Sequence, residues 1–350
     1  MGALTESGPL LVTRPLRIGA RTSPLARAQA DHVAALLHGS GVETTFVGVT
    51  TTGDVDRRHL TEIGGTGVFA TAVRDALHAG TIDVAVHSLK DLPTAVEPGL
   101  EIAAVPDRED TRDVLVGRRL DELGSARVSG PVRIGTGAPR RALQLADYAE
   151  RAGIEVDIVA IRGNVETRLN LVRSGQVDAV VLAAAGLRRL GLLQQRSLEE
   201  SDNVVSVSGD LTGEILTDQV MLPAPGQGAL GLEIHQALDR QLAGLVRALD
   251  NPTARAECLV ERGFLARLEA GCTAPVGAHA VVKSVRGTSL DLTLAAVIGR
   301  TLVSNLSEPT KSGPPIRLDL HGSSVDPAQF GVDAAERCLS ELHAIQRACH

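Results

Sequence analysis

The stretch Gly80-Thr81-Ile82-Asp83-Val84-Ala85-Val86-His87-Ser88-Leu89-Lys90-Asp91-Leu92-Pro93 decides the fold. Gly80 ends a helix that carries Phe69, Val73, Ala76 and Leu77, and the apolar run from Ile82 to His87 reads as a buried strand. Upstream, Arg17 to Ala20 reads as a short strand. Ser23 then serves as N-cap and Pro24 as first residue of a helix with Ala26, Ala30, Val33 and Leu37 on one face. A strand near Thr45 to Val49 and a Gly-rich loop, Gly64-Gly65-Thr66-Gly67, lead into the second helix. Strands alternating with helices predict βαβ units and a largely parallel sheet.

The pattern occurs twice. Arg17-Ile18-Gly19 followed by Pro24-Leu25-Ala26-Arg27-Ala28-Gln29 is echoed by Arg133-Ile134-Gly135 followed by Pro139-Arg140-Arg141-Ala142-Leu143-Gln144. Gly80 to Val86 is echoed by Gly175-Gln176-Val177-Asp178-Ala179-Val180-Val181. Two matched pairs in the same order predict two α/β domains of similar design, which usually hold a ligand in the cleft between them. Beyond about Asn251 the texture changes to a helix, alternating stretches such as 290–294 and 316–320, and a final helix. This pattern predicts a third, α+β domain with an antiparallel sheet. The Pro-rich stretch Ser304 to Pro315 reads as a loop.

A chain of 350 residues exceeds what one core usually supports, consistent with several domains. With 43% hydrophobic and 22% charged residues it reads as a water-soluble globular protein. No apolar run reaches the length of a membrane span, and Met1 to Arg14 has neither the basic start nor the apolar middle of an export signal. The expected location is the cytoplasm. A net charge of -7 argues against nucleic acid and anionic membranes as partners, so any bound anion needs a local basic pocket. Cys258, Cys272, Cys338 and Cys349 are too few and too scattered for a disulfide framework.

Candidate chemistry falls in three places. The strand Ile82 to Val86 runs into His87 to Pro93, placing Ser88, Lys90 and Asp91 at a strand's carboxyl end, where open α/β sheets bind ligands. Lys90, Lys283 and Lys311 are the only lysines, and arginines gather where helices begin or loops turn: Arg21, Arg140, Arg141, Arg162, Arg168, Arg188 and Arg189. A guanidinium fork matches a carboxylate in bidentate fashion, so these positions imply a ligand with several carboxylates or phosphates. Cys272 lies in Arg267-Leu268-Glu269-Ala270-Gly271-Cys272-Thr273-Ala274-Pro275-Val276-Gly277, where Gly and Pro predict a loop and an available thiolate. Cys338 and Cys349 share a helical stripe with Leu342 and Ile345 and read as core, in preference to a metal site with His343 and His350.

Together with Ala20 to Ala26, Arg162-Gly163-Asn164-Val165-Glu166-Thr167-Arg168-Leu169, Ala185-Gly186-Leu187-Arg188-Arg189-Leu190-Gly191 and Pro225-Gly226-Gln227-Gly228-Ala229, these motifs resemble the hydroxymethylbilane synthase (porphobilinogen deaminase) family in its own order. The resemblance implies two periplasmic-binding-protein-like α/β domains with mainly parallel sheets, plus a C-terminal α+β domain with an antiparallel sheet. Domain one would span 1–110 with a return segment 218–246, domain two 111–217 and domain three 247–350. It further implies a cytoplasmic, monomeric enzyme that condenses four porphobilinogen molecules onto a dipyrromethane cofactor attached through Cys272, with no metal. Asp91 would be the catalytic carboxylate. Ser88, Lys90, Arg140, Arg141, Arg162, Arg168 and Arg189 would contact the cofactor. Arg21, Arg162, Arg168, Arg189 and Gln227 would contact substrate.

The chain departs from many of the relatives it resembles at Gly137, Ala138 and Pro139, where two hydroxyls are missing and backbone amides of a Pro-initiated helix are expected to take their place. It departs again at Glu62 and Thr66, in a loop that elsewhere carries lysines. The alternative reading is a non-enzymatic anion-binding protein of the periplasmic-binding-protein type. Cys272 separates the two, since a receptor needs no tethered pyrrole.

Overall fold

A computed structural model of the chain describes residues 14–50, 68–124, 130–195, 203–271, 274–300 and 314–348. Strand β1 (Leu16–Arg21) buries Leu16, Ile18 and Ala20, and Ser23 then caps α1 (Pro24–Gly39) by accepting the Ala26 N–H. Pro24 opens this helix at a position whose N–H has no helical partner anyway. Then follow β2 (Thr44–Val49), α2 (Val68–His78), β3 (Val84–Ser88), a single 3-10 turn at Leu89–Asp91, and β4 (Leu100–Ala104). The second run comprises β5 (Asp113–Val116), β6 (Val132–Thr136), α3 (Pro139–Ala152), β7 (Val156–Ala160), α4 (Val165–Arg173), β8 (Ala179–Ala183) and α5 (Ala184–Arg189). It closes with β9 (Leu193–Gln195), β10 (Val204–Val207) and β11 (Leu211–Ile215).

Two sheets result, in the orders β2-β1-β3-β12-β4 and β7-β6-β8-β5-β11-β10-β9, where β12 is Leu230–His235. The strands joined by helices pair in parallel, β1 with β2 and β3, and β6 with β7 and β8. The strands added beside them run antiparallel. The chain passes between these sheets through 105–112 and 216–229. The two crossings meet where the Glu109 N–H donates to Gly228 O at 3.2 Å.

The internal repeat has a physical basis. The Asp83 carboxylate accepts the Arg17 N–H at 2.9 Å and the Arg17 guanidinium, while Asp178 accepts the Arg133 N–H at 2.9 Å and the Arg133 guanidinium. Strand β3 starts at Val84 and not at the expected Ile82, although the Asp83 N–H already donates to Arg17 O of β1 at 2.9 Å.

After α6 (Arg240–Arg247) and α7 (Pro252–Arg267), the strands β13 (Val276–Arg286), β14 (Ser289–Ile298) and β15 (Ile316–Ser324) form an antiparallel sheet. The final helix α8 (Pro327–Ala348) and α7 cover it, enclosing Val260, Phe264, Ala278, Ala280, Leu292, Leu294, Cys338 and Leu342. Burial pushes the Cys338 thiol up to about 12, as its place in this core demands.

Candidate active site

β3 is buried along most of its length, so its next residues must emerge at the sheet's rim. Leu89 stays buried and donates its N–H to Ala229 O at 3.0 Å, and the tight turn leaves the Asp91 side chain exposed. Asp91 lines a pocket with Arg21, Ser23, Gln29 and Ser88, so the carboxyl ends of β1 and β3 and the start of α1 converge there. Buried Gln29 fixes Ser88, donating to its hydroxyl at 2.7 Å and accepting from it at 3.1 Å. Behind the same strand His87 meets Glu233 of β12 at 3.1 Å, and Arg74 of α2 meets the same carboxylate at 2.9 Å.

Lys90 faces the other way. Its ammonium donates to Gln227 Oε1 at 3.2 Å, and Gln227 Nε2 donates to Thr111 O at 2.7 Å and to Asp113 Oδ1 at 2.9 Å. Asp113 also accepts from Arg141 Nη2 at 2.8 Å, and its other oxygen lies 2.8 Å from Arg140 Nη2. Burial pushes the Lys90 ammonium down to about 8; Asp91 and Asp113 oppose the fall, and Arg141 and Arg140 add to it. Asp113 carries no signal in the sequence beyond opening an apolar strand, and it was not among the expected site residues.

Arg140 and Arg141 are buried, and most of their donors are taken: Arg140 Nη1 by Leu222 O and Arg141 Nη1 by Val181 O. Arg141 Nε, however, is buried without a hydrogen-bond partner. Arg168, half-buried in the first turn of α4, bonds Gly163 O at 2.9 Å and forms no ion pair among the described residues. Burial and the nearby Arg141 lower its pKa. Arg189 bonds Gly228 O at 2.7 Å and is likewise lowered by burial. Arg162 is exposed, and Arg188 is engaged by Glu109 and Asp110 at 3.0 and 3.1 Å. An orphaned donor on Arg141 and two guanidiniums held by carbonyls form a donor set that suits a ligand bearing several carboxylates. Cys272, Cys349, Glu62, Thr66 and the glycines of the Gly64 to Gly67 loop lie outside the described residues, as does most of the Ser304 to Pro315 stretch.

Among the described residues no helix is long and apolar enough to cross a membrane, and no group of three or more His, Cys, Asp or Glu is placed to hold a metal. Residues 16–243 match the family model "porphobilinogen deaminase, dipyromethane cofactor binding domain", and 255–339 match "porphobilinogen deaminase, C-terminal domain". The chain is 46% identical to porphobilinogen deaminase 1 of Streptomyces coelicolor, covering 87% of this chain and 90% of that one. It is 47% identical to the Streptomyces avermitilis protein of the same name, covering 85% and 88% of the two chains. Against the porphobilinogen deaminase of Cutibacterium acnes it is 41% identical, covering 93% and 95%. A solved periplasmic substrate-binding protein of an ABC transporter from Coxiella burnetii aligns with a TM-score of 0.38 at 15% identity, covering 71% of this chain and 96% of that one. Two matched domain models and relatives aligned over most of their length place this chain in the porphobilinogen deaminase family.

Proposed function

We propose that this chain is a cytoplasmic, monomeric hydroxymethylbilane synthase. It joins four porphobilinogen molecules in sequence, releases one ammonia at each step, and frees the linear tetrapyrrole by hydrolysis. The observation that carries this reading is the shared pocket at the ends of β1 and β3, where the Asp91 carboxylate stands with Arg21 and Ser88. The three sheets are read as three domains, 1–110 with 218–246, 111–217 and 247–350, the last bearing Cys272.

When bound through Cys272, a dipyrromethane supplies the free pyrrole carbon on which the chain of rings is built. Arg141, Arg168, Arg189 and Arg162 hold its acetate and propionate groups, with Ser88 and Lys90 beside them. Arg140, whose donors are engaged by Asp113 and Leu222, contributes positive charge there. Arg21 and Gln227 receive the incoming substrate, alongside Arg162, Arg168 and Arg189. Asp91 accepts a pyrrole N–H and stabilises the positive charge that develops on that nitrogen as ammonia departs.

Intact-mass measurement on the purified protein tests the proposal, together with ammonia release on adding porphobilinogen. Expected is an added mass equal to a dipyrromethane, absent in Cys272→Ser but kept in Cys338→Ser and Cys349→Ser. Porphobilinogen binding without ammonia release, in a protein with no adduct, would establish a solute-binding protein instead.

A further inference from the structure

Arg262, on the buried side of α7, extends its guanidinium to the turn that carries Asp91. Its Nη1 donates to Leu92 O at 2.9 Å and its Nη2 to Pro93 O at 2.7 Å. No acid lies within ion-pair distance of this cation among the described residues; burial lowers its pKa and Arg74 adds to the fall, Cys258 and Glu233 oppose it, and its hydrogen bonds go to two backbone carbonyls. Burying a guanidinium away from any ion-pair partner is costly unless its donors are satisfied, and here they are satisfied by the segment they grip. The neighbouring Glu261 has other partners. It is fully buried and accepts the Gly226 N–H at 2.6 Å and the Arg108 guanidinium at 2.9 and 2.7 Å. Gly226 packs against the backbone of the same turn: a Cβ there would lie 3.2 Å from the Lys90 nitrogen. Two consecutive residues of α7 therefore reach the Asp91 turn, Arg262 directly and Glu261 through Gly226, and α7 ends at Arg267, on the way to Cys272.

We propose that Arg262 is a positioning residue for Asp91: it sets the carboxylate's place relative to the helix that leads to Cys272. This deepens the function proposed above and rests on it.

The test compares cofactor-loaded wild type, Arg262→Met and Arg262→Lys in single-turnover ammonia release, each also in an Asp91→Asn background. Arg262→Met is expected to slow release about 10- to 100-fold, the cost of a misplaced group, with partial recovery in Arg262→Lys. In the Asp91→Asn background the same substitution should add little, because the two act as one unit. A second readout is independent of activity. Amide hydrogen exchange over residues 88–98 should quicken in Arg262→Met while that over 252–260 holds. Unchanged exchange over 88–98, or slowing that multiplies fully with Asp91→Asn, would overturn the assignment. If wild type itself releases no ammonia, the proposed function fails, and the exchange measurement still decides whether Arg262 fixes the turn.

Discussion

The carboxylate of Asp113 lies 2.8 Å from the guanidinium of Arg141, with both side chains withdrawn from solvent. Asp113 opens β5, directly after the first crossing between the sheets, and Arg141 stands in the first turn of α3. Gln227, from the second crossing, bonds the same carboxylate and also Lys90. A single buried anion thus ties both crossings to the rim where Asp91 emerges.

Burial alone would raise the Asp113 pKa, but Arg140 and Arg141 outweigh it and hold the carboxyl below its usual range. Asp113→Asn leaves two buried guanidiniums uncompensated, and a loss of about 3–5 kcal/mol is expected at pH 7. A depressed carboxyl contributes stability that is full above its unfolded pKa of about 3.9 and is lost as pH falls towards the folded value. The deficit of Asp113→Asn should therefore narrow below about pH 4. Urea unfolding of both proteins at pH 7 and pH 3 checks this, and equal midpoints at pH 7 would contradict it.

The repeat was legible because the same local requirement occurs twice. A carboxylate must accept the backbone N–H of the arginine at the second position of the neighbouring strand, and Asp83 and Asp178 satisfy it, each three residues after a glycine. Asp91 was legible for a related reason: an apolar strand must end in a rim. Asp113 and Arg262 were not, because their partners lie far off in the chain, Gln227 at a separation of 114 residues and Leu92 at 170. Within its own segment each reads as an ordinary polar residue, and only the assembled fold gives it a role.

The helix that carries Arg262 depends on close packing with α8. A Cβ on Gly331 would stand 1.9 Å from Val260 O and 2.8 Å from the Phe264 nitrogen, both of them backbone atoms that cannot swing aside. Gly331→Ala must push the helices apart, and a loss on the order of 3 kcal/mol is expected. Thermal unfolding reads this directly; an unchanged midpoint would show that α7 and α8 separate freely.

His279 of β13 joins the third sheet to both crossings. Its Nδ1 lies 2.5 Å from Asp218 Oδ2, and its Nε2 lies 3.4 Å from the Thr111 hydroxyl. Burial pulls its pKa down, but the Asp218 bond and charge and Glu261 outweigh burial and the opposing Arg108, so the net shift is upward. A raised histidine contributes stability that is full below its unfolded pKa of about 6.5 and is lost as pH rises through the folded value. The midpoint gap between wild type and His279→Gln should be wide at pH 6 and small at pH 9. A gap independent of pH would show that the protonated ring contributes nothing.

Arg168 forms no ion pair among the described residues, so its removal leaves no buried acid behind. Arg168→Leu should change stability by no more than about 0.5 kcal/mol yet impair cofactor assembly or chain elongation. Native gels run with porphobilinogen would display the enzyme–intermediate series, and a normal series for Arg168→Leu would remove this residue from the carboxylate site.

Asp91 offers the strongest test, because ammonia departure and ring attack both place positive charge on a pyrrole nitrogen. Asp91 is the carboxylate that lines the pocket with Arg21 and Ser88. The turn beneath it is held by Leu89, Arg262 and Gly226, so the charge is preorganised before substrate arrives. Loss of a comparable preorganised group typically lowers a rate about 100- to 1,000-fold. Asp91→Asn keeps the shape and removes the charge. The expected protein folds, carries the adduct on Cys272, and releases ammonia at least about 100-fold more slowly in a single turnover. Release within a few-fold of wild type would make Asp91 a structural residue, and the cation would have to be stabilised by another group.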